Sequence, residues 1–137
     1  MRAVLDANVV ISGVLSRDGA PAQLLRALAA GEFEVIVSPK LLAELERALA
    51  YPKLRRRLSE PDGQQLLAWL SDSASVVPDP DDLAVVLSED PDDNYLIALA
   101  AANVAALVSG DVHLLSLAKR IPVFSPREFL TLVRESE

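Results

Sequence analysis

The sequence predicts an α/β fold, a three-layer sandwich around a mainly parallel sheet, organised as a single domain of 137 residues. Three observations carry this expectation. Short apolar runs alternate with segments of helical periodicity along the whole chain. Consecutive apolar runs lie far enough apart for a helical crossover, which parallel strands need and hairpins do not. Turn and cap residues separate the segments, with no internal repeat and no linker-like stretch.

The elements follow in order. Ala3-Val4-Leu5 reads as a short buried strand ended by Asp6, and Val9 to Leu15 as a helical turn. Pro21 starts a helix with Leu24, Leu25 and Leu28 on one face, stopped by Gly31. Glu34 to Val37 is the second strand. Ser38 as N-cap and Pro39 at the first helical position open a helix with the stripe Leu41, Leu45, Ala48 and Leu49, ended at Pro52. A helix from Asp62 to Ser73 carries Leu66, Leu67, Trp69 and Leu70. Val76-Val77 is a short strand candidate, Pro78 to Asp82 a loop, and Leu83 to Leu87 a short helical segment. Asp90-Pro91 opens a helix reaching Asn103. Ala105 to Val108 is a strand, Gly110 a turn, Val112 to Lys119 a helix and Ile121 to Phe124 the last strand, after which Ser125-Pro126 caps a final helix.

Composition narrows the chemistry. The chain has no cysteine, which excludes disulfides, thiolate metal sites and cysteine nucleophiles and is compatible with a cytoplasmic setting. Asp6 interrupts any signal-peptide stretch, and no apolar run is long enough to span a membrane. A formal charge of -7 argues against indiscriminate coating of nucleic acid. The charges are nevertheless segregated. Residues 47–57 carry Arg47, Lys53, Arg55, Arg56 and Arg57 with no acid; residues 78–93 carry Asp79, Asp81, Asp82, Glu89, Asp90, Asp92 and Asp93 with no base. His113 is the only histidine and supports no convincing Ser-His-Asp triad, and Gly13 and Gly19 match no phosphate loop.

Four acids stand out by position. Sites in parallel sheets form beyond the carboxyl ends of strands. Asp6 follows the first strand, and Asp111 follows Ala105 to Val108, although an N-cap role also accounts for Asp111. Asp93 shares a helix face with Leu96 and Ala100, a face that should point at the core; Asp92, about 100° round the helix, suits a solvated first-turn acid. Glu44 sits between Leu41 and Ala48 on the edge of the apolar stripe, and alone it also reads as a surface glutamate. Clustered carboxylates repel, by about 4 kcal/mol per pair at about 4 Å and an effective dielectric near 20. Such a group is either partly protonated or holds a divalent cation, and oxygen-only ligands favour magnesium, manganese or calcium over zinc. Beside it, Arg55-Arg56-Arg57 is either a solvated face or a phosphate contact.

Four segments carry these acids: Val4-Leu5-Asp6-Ala7-Asn8-Val9-Val10-Ile11-Ser12; Ser38-Pro39-Lys40-Leu41-Leu42-Ala43-Glu44-Leu45; Asp90-Pro91-Asp92-Asp93-Asn94-Tyr95-Leu96; and Ser109-Gly110-Asp111-Val112-His113-Leu114-Leu115. In this order they resemble the four motifs of the PIN domain (PilT N-terminus) family, and within it the bacterial toxin–antitoxin branch. The resemblance implies a five-stranded parallel sheet between helices and an endoribonuclease that hydrolyses RNA with Mg2+ or Mn2+. It implies Asp6, Glu44, Asp93 and Asp111 as metal-binding and catalytic acids, with Asn8 orienting ligands or water and Ser12 assisting. It also implies a small antitoxin protein as partner, and homodimers. The chain departs from the pattern at Ala7, where the first motif commonly has threonine, and at Leu115, where many relatives carry a further acid. Both departures bear on a second metal more than on the fold.

Three other readings stay open. A PIN-like module without catalytic activity would bind only a protein partner. A magnesium-dependent phosphatase with an aspartyl nucleophile would want an acid at position 8, where Asn8 stands. A receiver domain would want its phosphoacceptor near residue 55, among the arginines.

Overall fold

The computed structural model describes residues 1–81 and 88–136, so the expected helical segment Leu83 to Leu87 lies outside the described residues. The order is β1 (Arg2–Leu5), α1 (Ala7–Leu15), α2 (Ala20–Ala29), β2 (Glu34–Val37), α3 (Pro39–Leu49), α4 (Pro52–Arg55), α5 (Glu60–Ser73), β3 (Ser75–Val76), α6 (Pro91–Ala102), β4 (Ala106–Val108), α7 (Val112–Leu115), β5 (Val123–Phe124) and α8 (Pro126–Glu135). The five strands form one sheet in the order β3-β2-β1-β4-β5, and every pairing is parallel.

Consecutive residues of a strand face opposite sides of the sheet. Val4, Leu5, Val35, Ile36 and Val37 are all almost wholly buried, so helices cover both faces of the centre. This is why the central strands are continuous apolar runs rather than alternating ones. The core is chiefly aliphatic, with one aromatic cluster in which Phe33 meets Phe129 edge-on at 5.2 Å.

Three expectations need correction in extent. The turn expected after Asp6 is the nine-residue helix α1, started by the Asp6 side chain and packed tightly on α2. A Cβ on Gly13 would stand 2.6 Å from Leu25 Cδ1 and 3.0 Å from Pro21 O, so any larger residue there would require Leu25 and the α2 backbone to give way. The helix expected over Val112 to Lys119 stops at Leu115. There the Ser116 hydroxyl donates to His113 O at 2.6 Å, and the chain continues in tighter turns such as Leu117 N to Leu114 O. The last strand spans only Val123–Phe124, because Pro122 has no N–H to enter the ladder. Gly31 ends α2 as expected, at φ +75.

Candidate functional site

The site begins where β1 and β4 end side by side. Asp6 N donates to Val108 O at 3.0 Å, which carries the parallel register one residue past the strand. The Asp6 carboxylate accepts from Asn8 N on Oδ1 (3.3 Å) and from the Ser109 hydroxyl on Oδ2 (3.0 Å). Ser109 has no exposed surface, and its Oγ also accepts from Asp111 N at 3.0 Å. Asp111 Oδ1 in turn accepts from His113 N at 2.9 Å and caps α7. One buried hydroxyl therefore ties the two strand-exit acids together. The N-cap reading of Asp111 holds, and it leaves the second carboxylate oxygen for another ligand.

Asp93 and Glu44 arrive on helices. Asp90 caps α6 by accepting from Asp92 N at 2.9 Å, and the turn it starts points Asp93 inward, 7% exposed, and Asp92 outward. The Ser88 hydroxyl donates to Asp93 Oδ2 at 3.2 Å and accepts from Asp90 N at 3.2 Å. Ser88 is itself gripped by the Asn94 side chain, which accepts from Ser88 N (3.0 Å) and donates to Ser88 O (2.6 Å). Glu44 is half-buried at the edge of the α3 stripe, while Glu46 is exposed.

Asp6, Glu44, Asp93 and Asp111 line one cleft of about 550 Å3, together with Asn8, Asp90, Asp92, Arg47 and Tyr51. Two depressions adjoin it. One of about 400 Å3 is walled by Ser88, Asp93, Asp111 and His113. The other, about 380 Å3, is walled by Asp6, Asn8, Ser12 and Asp111. Asn8 and Ser12 are thus beside the acids. Arg55, Arg56 and Arg57 are not: they lie on α4 and the turn after it and line none of the three depressions. Arg55 pairs with Glu60 at 3.9 Å, and Arg57 Nη2 donates to Leu15 O at 3.5 Å. A separate depression of about 600 Å3, between residues 77–81 and α6, shares no residue with the acidic cleft.

The acids feel one another. Burial, then the charge of Asp92, pushes the Glu44 carboxyl above its ordinary range; Lys40 and Arg47 oppose this and Asp6 adds to it. Burial also pushes Asp93 up. The Ser88 hydrogen bond works against that rise, and the charges of Asp90, Asp111 and Asp6 reinforce it. Among the described residues the ion pairs join Arg2 to Glu34 and Arg55 to Glu60, and none engages these four acids.

An oxygen-only donor set with uncompensated negative charge fits a hard divalent cation. As the side chains stand, no three acids or histidines among the described residues are gathered closely enough to grasp one ion. The backbone and serine hydrogen bonds on Asp6 and Asp111 occupy one lone pair on each oxygen they use, leaving others to face the cleft.

Sequence reading missed Ser109, Ser88 and a polar cluster next door, built on the buried Ser38 and Tyr95. Tyr95, two residues after Asp93 on α6, hydrogen-bonds to the Ser38 hydroxyl and donates to Asp79. Its phenol is pushed up to about 12, first by burial and then by Asp79. Lys40 N donates to Asp79 at 3.2 Å, and Lys40 Nζ lies 4.3 Å from the centre of the Tyr95 ring. The one available signal was Ser-x-Asp at 109–111, a hydroxyl at a strand exit two residues before an acid.

Fold and site together define an α/β protein with an acidic, oxygen-lined cleft at the carboxyl edge of a parallel sheet. The PIN domain model matches residues 2–113, and the chain belongs to the PIN domain family. It is 30% identical over 117 residues to the uncharacterized protein MJ1680 of Methanocaldococcus jannaschii, covering 85% of this chain and 75% of that one. Two crystal structures share its fold at 18% identity. PAE2754 from Pyrobaculum aerophilum superposes with a TM-score of 0.68 over 98% of this chain and 89% of its own. VapBC2 from Rickettsia felis, bound to a DNA fragment from its promoter, superposes at 0.62 over 91% of this chain and 98% of the matched one. Leu115, where family members often carry an acid, is half-buried against the core here. No helix among the described residues is long and apolar enough to cross a membrane.

Proposed function

We propose that this chain is a single-domain, metal-dependent endoribonuclease, acting as the toxin of a toxin–antitoxin pair. The observation that carries the reading is the convergence on one cleft of four acids from four separate segments, none of them held in an ion pair among the described residues. Bound Mg2+ or Mn2+ supplies Lewis-acid polarisation of a phosphodiester and a water of lowered pKa. Asp6, Asp93 and Asp111 would hold the ion. Ser109 fixes the Asp6 carboxylate, and Ser88 fixes that of Asp93. Glu44, whose carboxyl is raised by burial, is suited to accept a proton from the attacking water. Asn8, which lines a depression with Asp6 and Asp111, would bind substrate and orient ligands or water, with Ser12 beside it assisting. The partner reading rests on the family resemblance and the fold shared with VapBC2, and it predicts a small protein that occludes this cleft.

The test is cleavage of mixed single-stranded RNA with and without manganese, by the wild type and by Asp6→Asn. Manganese-dependent cleavage lost in Asp6→Asn by at least about 100-fold, roughly 3 kcal/mol of transition-state stabilisation, is the expected outcome. Equal cleavage by both would remove Asp6 from the chemistry. A second reading, a module that binds a partner and does not cleave, draws on the absence of three converged ligands among the described residues. Metal binding without RNA cleavage would favour it.

A further inference from the structure

We propose that Tyr51 and Arg47 form the substrate-binding mouth of the acidic cleft, a stacking platform and a phosphate contact that select single-stranded RNA presenting an unpaired base. The proposal rests on the ribonuclease reading and specifies the substrate it takes.

Glu44, Arg47, Ala48 and Tyr51 are spaced by three, four and seven residues, one face of α3 continued through its C-cap, and all four line the cleft. Arg47 is the one Lys or Arg lining any of the three acidic depressions, and among the described residues it makes no ion pair. Tyr51 is 64% exposed. The other aromatic side chains are spent on the interior: Phe33, Tyr95 and Phe129 are buried, and Trp69 and Phe124 are half-buried. The Tyr51 ring thus adds little to the core.

Its backbone is fixed nonetheless. Tyr51 N donates to Ala48 O at 3.2 Å, Tyr51 O accepts from Leu54 N (3.0 Å) and Arg55 N (2.9 Å), and Pro52 follows. An exposed ring on an ordered backbone loses little freedom when a base lies on it.

The charge of the cleft explains why an aromatic stands there. A wall built from Asp6, Glu44, Asp90, Asp92, Asp93 and Asp111 repels a polyanion along its length. An uncharged base stacking on tyrosine is indifferent to that field, and Arg47 supplies the local cation for an adjoining phosphate. Bases inside a duplex are already stacked on each other and have no free face for the ring. Stacking is worth about 5- to 150-fold in affinity per base on alanine substitution.

The experiment measures equilibrium binding in EDTA, so that no metal-dependent cleavage intervenes. The probes are a single-stranded oligoribonucleotide, the same strand with one abasic residue at successive positions, and its fully paired duplex. Tyr51→Ala should weaken binding of the intact strand about 5- to 150-fold, and Tyr51→Phe should retain affinity. At one abasic position the Tyr51→Ala effect should vanish, and it should be absent on the duplex. Arg47→Ala should flatten the salt dependence by about 0.7 in log affinity against log salt. Tyr51→Trp provides an independent readout, its fluorescence quenched by the intact strand and not by the strand abasic at that position.

Unchanged affinity in Tyr51→Ala overturns the platform, as does an equal loss on intact, abasic and duplex RNA. The wild type failing to bind RNA overturns it too. Manganese-dependent cleavage that is indifferent to Tyr51 removes the platform and leaves the ribonuclease reading standing. Tyr51-dependent binding with no cleavage under any metal does the reverse.

Discussion

At the amino edge of the sheet, where β1 and β2 begin, Arg2 and Glu34 stand opposite one another in register and pair at 3.4 Å. Arg2 Nη1 also donates to Asn103 O at 2.5 Å, and Ser75 Oγ donates to Glu34 at 2.8 Å. Charge there is answered by charge. At the carboxyl edge β1 and its other neighbour β4 release Asp6 and Asp111, to which helices add Glu44 and Asp93. Asp6, Asp93 and Asp111 receive hydrogen bonds from serines and backbone amides, and among the described residues none of the four acids makes an ion pair. The contrast teaches that the second edge has been held in an electrostatically unfavourable arrangement by neutral donors. Neutral donors fix the carboxylates in direction without cancelling their charge. An ion pair would have cancelled the property that makes the edge useful to a cation.

The comparison sharpens most at Ser109. Ser109→Ala removes the donor to Asp6 and the acceptor for Asp111 N at once, in a position with no exposed surface. Manganese-dependent cleavage should fall about 10- to 100-fold, as for loss of a group that orients a metal ligand. The fold should lose about 1–3 kcal/mol for the unsatisfied amide. Ser88→Ala, at a half-buried site, should do less on both counts. Cleavage kinetics and urea melts on the two variants check this.

A smaller effect is expected from pH. Glu44 and Asp93 have raised carboxyl values in the folded state, so between the ordinary and the raised values the folded chain binds more protons than the unfolded one. Stability of the metal-free protein should therefore fall as pH rises through the window above the ordinary carboxylate range. Asp79, lowered chiefly by its hydrogen bond from Tyr95, acts in the other direction, and only below that range. Melting temperature in EDTA should rise from about pH 7 to about pH 5, and saturating manganese should flatten or reverse the trend. A steady fall in EDTA over that interval would count against the crowding.

The amino edge should respond least. The Arg2 and Glu34 side chains are 40% and 43% exposed, so Arg2→Ala should cost about 1 kcal/mol or less. RNA cleavage should be unchanged, since the pair lies at the opposite end of the strands. A loss of activity as large as that of Ser109→Ala would erase the distinction between the edges.

The sequence made the exits and the faces legible. Asp6 and Asp111 were placed by strand ends, Asp93 and Glu44 by helical phase, and Ser38, Pro39 and Gly31 by cap chemistry, all of which are local. Ser109 holding Asp6 spans 103 positions, and Tyr95 reaching Asp79 depends on where the chain runs after β3 relative to α6. Partners of that kind follow from topology and leave no periodic trace. The arginine run at 55–57 drew attention by its density, whereas Arg47, an isolated base one turn from Glu44, is the cation in the cleft wall. Charge counts along a chain do not say which way a helix turns its residues.

The most direct measurement is thermal melting against manganese concentration for the wild type and Asp93→Asn. An ion that binds only the folded state stabilises it by about 2.7 kcal/mol at a hundredfold excess over its dissociation constant. The wild type should melt at progressively higher temperature as manganese is added. Asp93→Asn should fold with undiminished stability in EDTA, because a repelling charge has gone, and should lose most of the manganese response. A wild-type curve that manganese leaves unmoved, or an equal shift in both proteins, would contradict the assignment of this edge as a cation site.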